Sequence, residues 1–144
     1  MSERFRPFSA VYLLLIKHDA VLLLRRFNTG WQDGSYSLVS GHIEGDETVR
    51  TAMIREAKEE AGITIQPDDL QFAHVMHRKA SDREYIDFFF AATKWEGEPQ
   101  NMEPAKCDHL EWFPLGKLPD NILPNVKQVI EDYTNKRYFS EAGW

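Results

Sequence analysis

The chain has 144 residues, 42% of them hydrophobic and 12% aromatic, which predicts one globular domain over residues 1–144 and excludes a disordered protein. The formal net charge of −6 argues against a long nucleic acid as partner, because basic surfaces hold such partners, yet it is compatible with a small phosphorylated substrate. The single cysteine excludes an internal disulfide, which favours a cytoplasmic protein. The longest apolar run, Val11 to Ile16, is too short to cross a bilayer, so we expect no membrane partner.

The first elements predicted along the chain are three strands. Residues 10–16 and 21–25 are β-leaning runs with a short polar connection between them, which predicts a hairpin. Residues 27–34 contain the Asn and Gly typical of a loop, and residues 36–40 follow as a strand that ends at Gly41. A second loop is expected from this glycine onwards.

The most regular segment of the chain predicts a helix from Glu47 to Ala61. It contains strong helix formers and no proline. Asp46 is a good N-cap candidate, because its carboxylate can accept from the first free backbone N–H groups. Gly62 is a typical C-terminal stop, because glycine adopts the left-handed conformation that ends many helices.

Three strands and a second helix are predicted further on. Residues 70–77, 85–92 and 110–113 have the residue types of strands. Apolar residues recur at i, i+3, i+4 and i+7 from Val126, which predicts an amphipathic helix over residues 125–137. A helix on each side of one sheet is the economical packing, so we expect an α/β (α+β) fold, an α/β/α sandwich with a central mixed β-sheet.

One segment, GHIEGDETVRTAMIREAKEEAGI, has glycines, glutamates and an Arg-Glu pair at a fixed spacing. It resembles a complete Nudix box over residues 41–63, and the chain is similar to MutT-like members of the Nudix hydrolase superfamily. The resemblance implies the Nudix fold and a metal-dependent hydrolase that cleaves a diphosphate linkage in a nucleotide derivative. Ala57 is smaller than the aliphatic residue usual at its position. The matching positions are Gly41, Glu47, Arg55, Glu56, Glu59, Glu60, Gly62 and Ile63.

The helix geometry supports a cation site independently of the family pattern. At about 100° per residue, Glu56, Glu59 and Glu60 fall within an arc of roughly 100° on one face. Like charges that close are unfavourable unless cations lie among them, and carboxylate oxygens are ligands that Mg²⁺ prefers. The alternative is that the glutamates lie on a solvated helix face, where they form ion pairs with Arg55 and Lys58. Three glutamates without the surrounding pattern would favour this alternative. The complete pattern favours the metal site.

The resemblance also implies roles for individual residues of the box. The ion is expected to be Mg²⁺, with Mn²⁺ as the alternative. Glu47 and Arg55 would form a structural ion pair that holds the loop to the helix. The metal ligands would be the Gly41 carbonyl, Glu56, Glu59 and Glu60. Glu59 could act as the general base instead of as a ligand.

Acidic residues outside the box are candidates for the same site. Glu103 lies in a segment, residues 95–103, that resembles the one supplying an extra carboxylate in MutT-like enzymes, so it is a candidate base or additional ligand. An exposed loop acid is the equally weighted alternative. Glu44 could support the metal from the loop, although a surface role is the default.

Substrate contacts are predicted from the early strands. Arg25 and Arg26 are candidates for binding phosphate, and alternation along a strand implies that at most one of them faces the site. Tyr36, Trp31 and Phe27 are candidates for stacking on a base, although aromatic residues near a sheet belong more often to the core.

The preferred reaction is hydrolysis of a nucleoside triphosphate to a monophosphate and pyrophosphate, because the chain has the compact length of MutT-like members. The alternatives are a pyrophosphatase for ADP-ribose or another nucleotide sugar, a hydrolase of oxidised nucleotides or of RNA 5′ ends, the last disfavoured by the acidic pI, and a Nudix-fold sensor that binds a nucleotide without cleaving it. A homodimer is a further expectation, because dimers are the commonest oligomers of soluble proteins.

Overall fold

A computed structural model describes residues 3–144, and within them the chain forms eight strands and two α-helices. The helices are α1 (Val49–Ala61) and α2 (Pro124–Thr134), and a short 3₁₀ turn covers Pro67–Asp69. The strands are β1 (Phe8–Lys17), β2 (Ala20–Arg26), β3 (Tyr36–Ser37), β4 (Val39–His42), β5 (Gln71–Lys79), β6 (Glu84–Ala92), β7 (Cys107–Pro114) and β8 (Phe139–Ala142).

The strands form one mixed sheet, as expected from the sequence. Its order is β3-β2-β1-β6-β5-β8, with β4 paired to β1 and β7 paired to β2. The β1–β6 and β5–β8 pairs are parallel and the others are antiparallel. The long β1 links the two parts of the sheet, because most of its length pairs with β4 and β6 while Ile16 and Lys17 pair with β2.

Each face of the sheet carries one helix over an apolar core. On one face α1 buries Met53 and Ala57 against alternate residues of β1 such as Leu13, and the small Ala57 is fully buried there. On the other face α2 buries Val129 beside Leu14. The period of 3.6 in the helices and of two in the strands therefore produces the predicted sandwich.

The predicted start of the first helix is wrong, while its end is confirmed. Asp46 has φ +52° and lies outside the helix; the N-cap is Thr48, whose hydroxyl accepts from the Thr51 N–H at 3.1 Å. Gly62 has φ +70° and donates its N–H to the Lys58 carbonyl, as the stop signal predicted.

Two other predicted boundaries also differ from the structure. The single strand expected over residues 36–40 is split at Leu38, so β3 pairs with β2 and β4 pairs with β1. Gly41 consequently lies within β4 rather than at the start of a loop. The second helix ends at Thr134, not near Arg137, because the chain turns at Lys136, where φ is +57°, and continues into the unpredicted β8.

Neither α-helix in residues 3–144 has the length and apolar character needed to cross a membrane.

Candidate active site

The centre of the site is a close approach between β4 and α1. The carboxyl group of Glu56 lies against the backbone of Gly41, and a methyl group added at Gly41 would overlap that carboxyl group. Glycine lets the carboxylate occupy this position, because a larger residue would have to displace it. The pairing of β4 with β1 and the packing of α1 on both strands bring these two box residues together.

Arg55 ties the loop before α1 to the helix. Its Nε and Nη2 donate to the two carboxylate oxygens of Glu47 at 3.1 and 2.9 Å, and Nη2 also donates to the His42 carbonyl at 3.2 Å. The hydrogen bonds to Glu47 raise the pKa of Arg55, and those from Arg55 lower the pKa of Glu47. This bidentate geometry matches the ion pair that the sequence predicted.

The same guanidinium faces further carboxylates. Its Nη1 donates to Glu56 at 2.8 Å and lies 3.5 Å from carboxylate oxygens of Glu59 and Glu44. Glu47 is the fourth carboxylate in contact with it. One cation thus faces four carboxylates, so this cluster carries excess negative charge.

Glu60 lies deeper, with a neutral donor at its carboxylate. The Ser40 N–H donates to Oε2 at 3.1 Å. Burial raises the pKa of Glu60 to about 8, and the charges of Glu56 and Glu103 act in the same direction. Burial is also the main cause that raises the pKa of Glu56. Both carboxylates lie where an added cation would be favourable.

Glu103 reaches the same place from the segment before β7. The side-chain oxygen of Asn101 accepts the Glu103 N–H at 3.1 Å, and its amide nitrogen donates to the Cys107 carbonyl at 2.6 Å. Glu103 is half-buried and lines one cavity with Glu60. The structure therefore brings together two carboxylates that are 43 positions apart in the sequence.

We call this space, of about 340 Å³, the carboxylate cavity. It is bounded by Glu60 and Glu103 and by three cationic residues, Arg25, Arg26 and Lys106. Positive and negative groups thus face one volume, which suits a phosphate chain that carries a metal ion. The remaining lining residues are Leu24, Asn28, Thr29, Ser37, Leu38, Ser40, Asn101 and Cys107.

Arg25 and Arg26, which are consecutive residues of β2, both line the carboxylate cavity, whereas strand alternation predicted that at most one of them would face the site. Arg25 pairs with Asp108 at 2.7 Å. Arg26 donates to the Trp31 carbonyl at 2.7 Å and to the Thr29 hydroxyl at 2.9 Å, so it also fixes the loop after β2.

The aromatic candidates lie in different environments. Tyr36 is only 6% exposed and its ring packs edge-on against Phe113, with centroids 4.9 Å apart, so it belongs to the core and not to a surface open for stacking. It lies beneath Arg25, whose guanidinium carbon is 5.9 Å from the ring centroid. Trp31 and Phe27 are exposed on the loop after β2.

The donor set fits a hard divalent cation that is only partly enclosed by protein. Within residues 3–144, no three His, Cys, Asp or Glu side chains converge closely enough to enclose an ion alone. Mg²⁺ is commonly held by one or two carboxylates together with waters and substrate phosphate oxygens. Glu56 and Glu60, with the nearby Gly41 carbonyl, offer oxygen ligands of this kind.

Asn101 and Lys106 were missed by the sequence analysis. Neither belongs to the box pattern, and no local spacing marks them. They reach the site because the turn that precedes β7 packs against the end of α1, where the Met102 N–H donates to the Glu60 carbonyl at 3.2 Å.

Comparison with known proteins identifies relatives over most of the chain. Residues 6–133 match the model of the NUDIX domain. The chain is 30% identical over 127 residues to the ADP-ribose pyrophosphatase of Methanocaldococcus jannaschii, covering 88% of this chain and 73% of that protein. It is 29% identical over 122 residues to the 8-oxo-dGTP diphosphatase of Escherichia coli, covering 84% and 91%. The crystal structure of the MutT NUDIX hydrolase from Burkholderia pseudomallei superposes with a TM-score of 0.80 at 24% identity, covering 88% and 97%.

Proposed function

Because the chain belongs to the Nudix hydrolases, which act on nucleotide derivatives, we propose that it hydrolyses nucleoside triphosphates to monophosphates and pyrophosphate. The carboxylate cavity supports this reaction best, because it combines the carboxylates of Glu60 and Glu103 with three cationic side chains around one volume. The similarity to the 8-oxo-dGTP diphosphatase, 91% of which is covered, is consistent with a triphosphate substrate.

Glu56, Glu60 and the Gly41 carbonyl are the proposed ligands of Mg²⁺, or of Mn²⁺ as the alternative, and Glu59 assists from the exposed side of the helix. The ion supplies charge neutralisation of the diphosphate and a lower pKa for the attacking water. Arg55 is a positioning residue, because it holds Glu56 at 2.8 Å and Glu47 at 2.9 Å.

Glu103 is the proposed general base, with Glu59 as the second candidate. The water oxygen forms a bond to phosphorus, its proton passes to the carboxylate, and the bond from phosphorus to the leaving pyrophosphate oxygen breaks with its electron pair on that oxygen. Arg25, Arg26 and Lys106 would hold the phosphate oxygens, since all three line the cavity.

An ADP-ribose pyrophosphatase is the second candidate. Its support is the 30% identity to the archaeal enzyme of that name. Both reactions break a diphosphate linkage at the same carboxylates, so the choice between them depends on what the rest of the substrate contacts.

The deciding experiment is product release from nucleoside triphosphates, ADP-ribose, nucleotide sugars and dinucleotide polyphosphates, with Mg²⁺ or with EDTA. We expect magnesium-dependent release of monophosphate and pyrophosphate from triphosphates. Turnover confined to ADP-ribose would refute the triphosphate preference. Nucleotide binding without turnover of any compound would replace the enzyme with a sensor.

A further inference from the structure

A second, larger cavity adjoins the carboxylate cavity. Its volume is about 670 Å³, and the two share Arg26, Ser37 and Ser40 in their linings. A nucleotide whose phosphates lie in the carboxylate cavity would therefore extend its remaining part into this larger cavity. Binding sites for small ligands usually combine such a volume with a few fixed polar groups that determine orientation.

The most deeply buried charged groups of this cavity are an ion pair that the proposed hydrolysis does not use. Asp87 on β6 is 1% exposed and the Arg78 side chain on β5 is 14% exposed. Arg78 donates from Nε to Oδ2 at 2.7 Å and from Nη2 to Oδ1 at 3.3 Å. Burying two charges costs desolvation free energy, so a buried ion pair is weak support for a purely stabilising role.

The pair holds the Arg78 guanidinium in a fixed orientation. Asp87 contacts two of its three nitrogens, and the Tyr85 ring lies against it with 4.0 Å between the guanidinium carbon and the ring centroid. Asp87 leaves the donors on Nη1 unused, and the Tyr12 hydroxyl is a neighbouring hydrogen-bond partner of the same guanidinium. Both Tyr12 and Asp87 also line the cavity, and burial together with the Asp87 charge raises the pKa of Tyr12 to about 12, which keeps its hydroxyl protonated.

At the Arg78 guanidinium itself, a ligand meets only hydrogen-bond donors. A guanidinium has five N–H donors and no acceptor. The carboxylate of Asp87, which could accept, is almost fully covered. The two other cationic side chains that line the larger cavity have partners elsewhere. Arg83 pairs with Asp82 at 2.9 Å, and Arg26 donates to the Trp31 carbonyl in the loop after β2.

We propose that the larger cavity holds the base of the nucleotide and that Arg78, positioned by Asp87, favours bases with a carbonyl oxygen over bases with an amino group at the same ring position. A carbonyl oxygen can accept from the guanidinium donors that Asp87 does not use, whereas an amino group there sets donor against donor. This inference rests on the proposed function for the direction in which the nucleotide lies.

The test compares bases that differ in one exocyclic group and in the proton on the ring nitrogen beside it. Inosine and adenosine triphosphates differ in the 6-carbonyl and 6-amino groups, and uridine and cytidine triphosphates differ likewise at position 4. We expect kcat/KM to be higher for the carbonyl member of each pair by about tenfold or more. Equal values in both pairs would overturn the inference.

Variants then assign the preference to the ion pair. Arg78→Met alone would leave Asp87 buried without its partner, so the double variant Arg78→Met/Asp87→Leu is used together with a thermal melt. In the folded double variant the carbonyl-to-amino ratio should fall towards one. Lys127→Met on α2, an exposed residue outside both cavities, should keep the parent's ratio. A ratio retained in the double variant would overturn the role of Arg78.

Calorimetric binding of inosine, adenosine, uridine and cytidine monophosphates separates this inference from the proposed function. Tighter binding of the carbonyl members, lost in the double variant, supports base selection even when no triphosphate is hydrolysed. Equal binding of all four overturns base selection while leaving triphosphate hydrolysis in place.

Discussion

Two of the regions in which the chain buries polar side chains differ in how completely the chain satisfies their hydrogen-bonding groups and charges. In the carboxylate cavity, Glu60 receives the Ser40 N–H at 3.1 Å while further carboxylates surround it. At the other edge of the sheet His74 is fully buried, but its ring nitrogens contact the Arg137 carbonyl at 2.9 Å and the Ser140 hydroxyl at 2.7 Å. We call this second region the His74 clasp.

The carboxylate of Glu60 needs a ligand for its charge to be balanced, whereas the His74 clasp does not need one. A buried carboxylate with other carboxylates as its charged neighbours, as Glu60 is, is unfavourable in the isolated protein and becomes favourable when a bound cation supplies positive charge beside it. A buried side chain whose hydrogen bonds are made within the chain contributes to folding instead. Substitutions in the first region should therefore change turnover more than stability, and those in the second should do the reverse.

Glu60→Gln should give the largest effect. The substitution keeps the shape but removes a charged ligand, so magnesium-dependent turnover should fall by more than about 100-fold. The unfolding midpoint in EDTA should be unchanged or higher, because glutamine replaces a carboxyl group whose ionised form is unfavourable at this position. Product release and thermal melts measure the two quantities. Glu131→Gln, exposed on α2, is the control, and unchanged turnover in Glu60→Gln would remove this residue from the ligand set.

Gly41→Ala should follow, because the added methyl group overlaps the carboxyl group of Glu56. The end of a glutamate side chain can move aside, so stability should change by less than about 1 kcal/mol. A displaced ligand can cost up to about 100-fold in turnover. Gly116→Ala is the matched control, since its methyl group would point into open space. A Gly41→Ala protein with the parent's kcat/KM would contradict the close approach as a catalytic requirement.

Arg55→Ala should affect both quantities, because Arg55 connects the loop to the helix and also holds Glu56. The loss of several charge-assisted hydrogen bonds should lower the unfolding midpoint by about 4 °C or more. Turnover should fall by about tenfold, since Arg55 acts through the ligands. Arg50→Ala, exposed on the same helix, is the comparison variant. An Arg55→Ala melt equal to the parent's would count against the anchoring role.

The sequence predicted the part of the site that one segment carries. Glu56 and Glu60 share a face because helix geometry fixes their spacing, and the box pattern pairs Arg55 with Glu47, as the structure also does. The pairing of Glu103 with Glu60 was anticipated only through the resemblance. The positions of Lys106 and Asn101 depend on long-range packing that no local pattern encodes.

The fold was predictable to a similar extent and for similar reasons. Long alternating or helical runs produced β1, β2, β5, β6 and both helices. The four-residue β8 is too short to have a recognisable alternation, and its partner β5 is about 60 residues away. The break at Leu38 was missed because β3 and β4 are each stabilised by a different neighbouring strand, β2 or β1, which local propensity does not reveal.

Ser140→Ala, on the unpredicted β8, should give the smallest effect and tests the second half of the comparison. It removes the hydroxyl that contacts His74 at 2.7 Å, which should lower the free energy of unfolding by about 1 kcal/mol in a denaturant titration. Turnover should equal the parent's, because β8 pairs only with β5 in the described residues and lies at the sheet edge. Glu141→Gln, exposed on the same strand, should change neither quantity.

A loss of turnover in Ser140→Ala would break the division between the two regions. The route would run through α2, because Asp132 of that helix lies 3.9 Å from His74 while Pro124 and Asn125 at its start line the larger cavity. A structural change in the His74 clasp that affected substrate binding should alter KM more than kcat. The reason is that the start of α2 faces the larger cavity and not Glu60 or Glu103. An altered kcat at unchanged KM would instead mean that the clasp positions the catalytic groups, and the separation of folding from chemistry would fail.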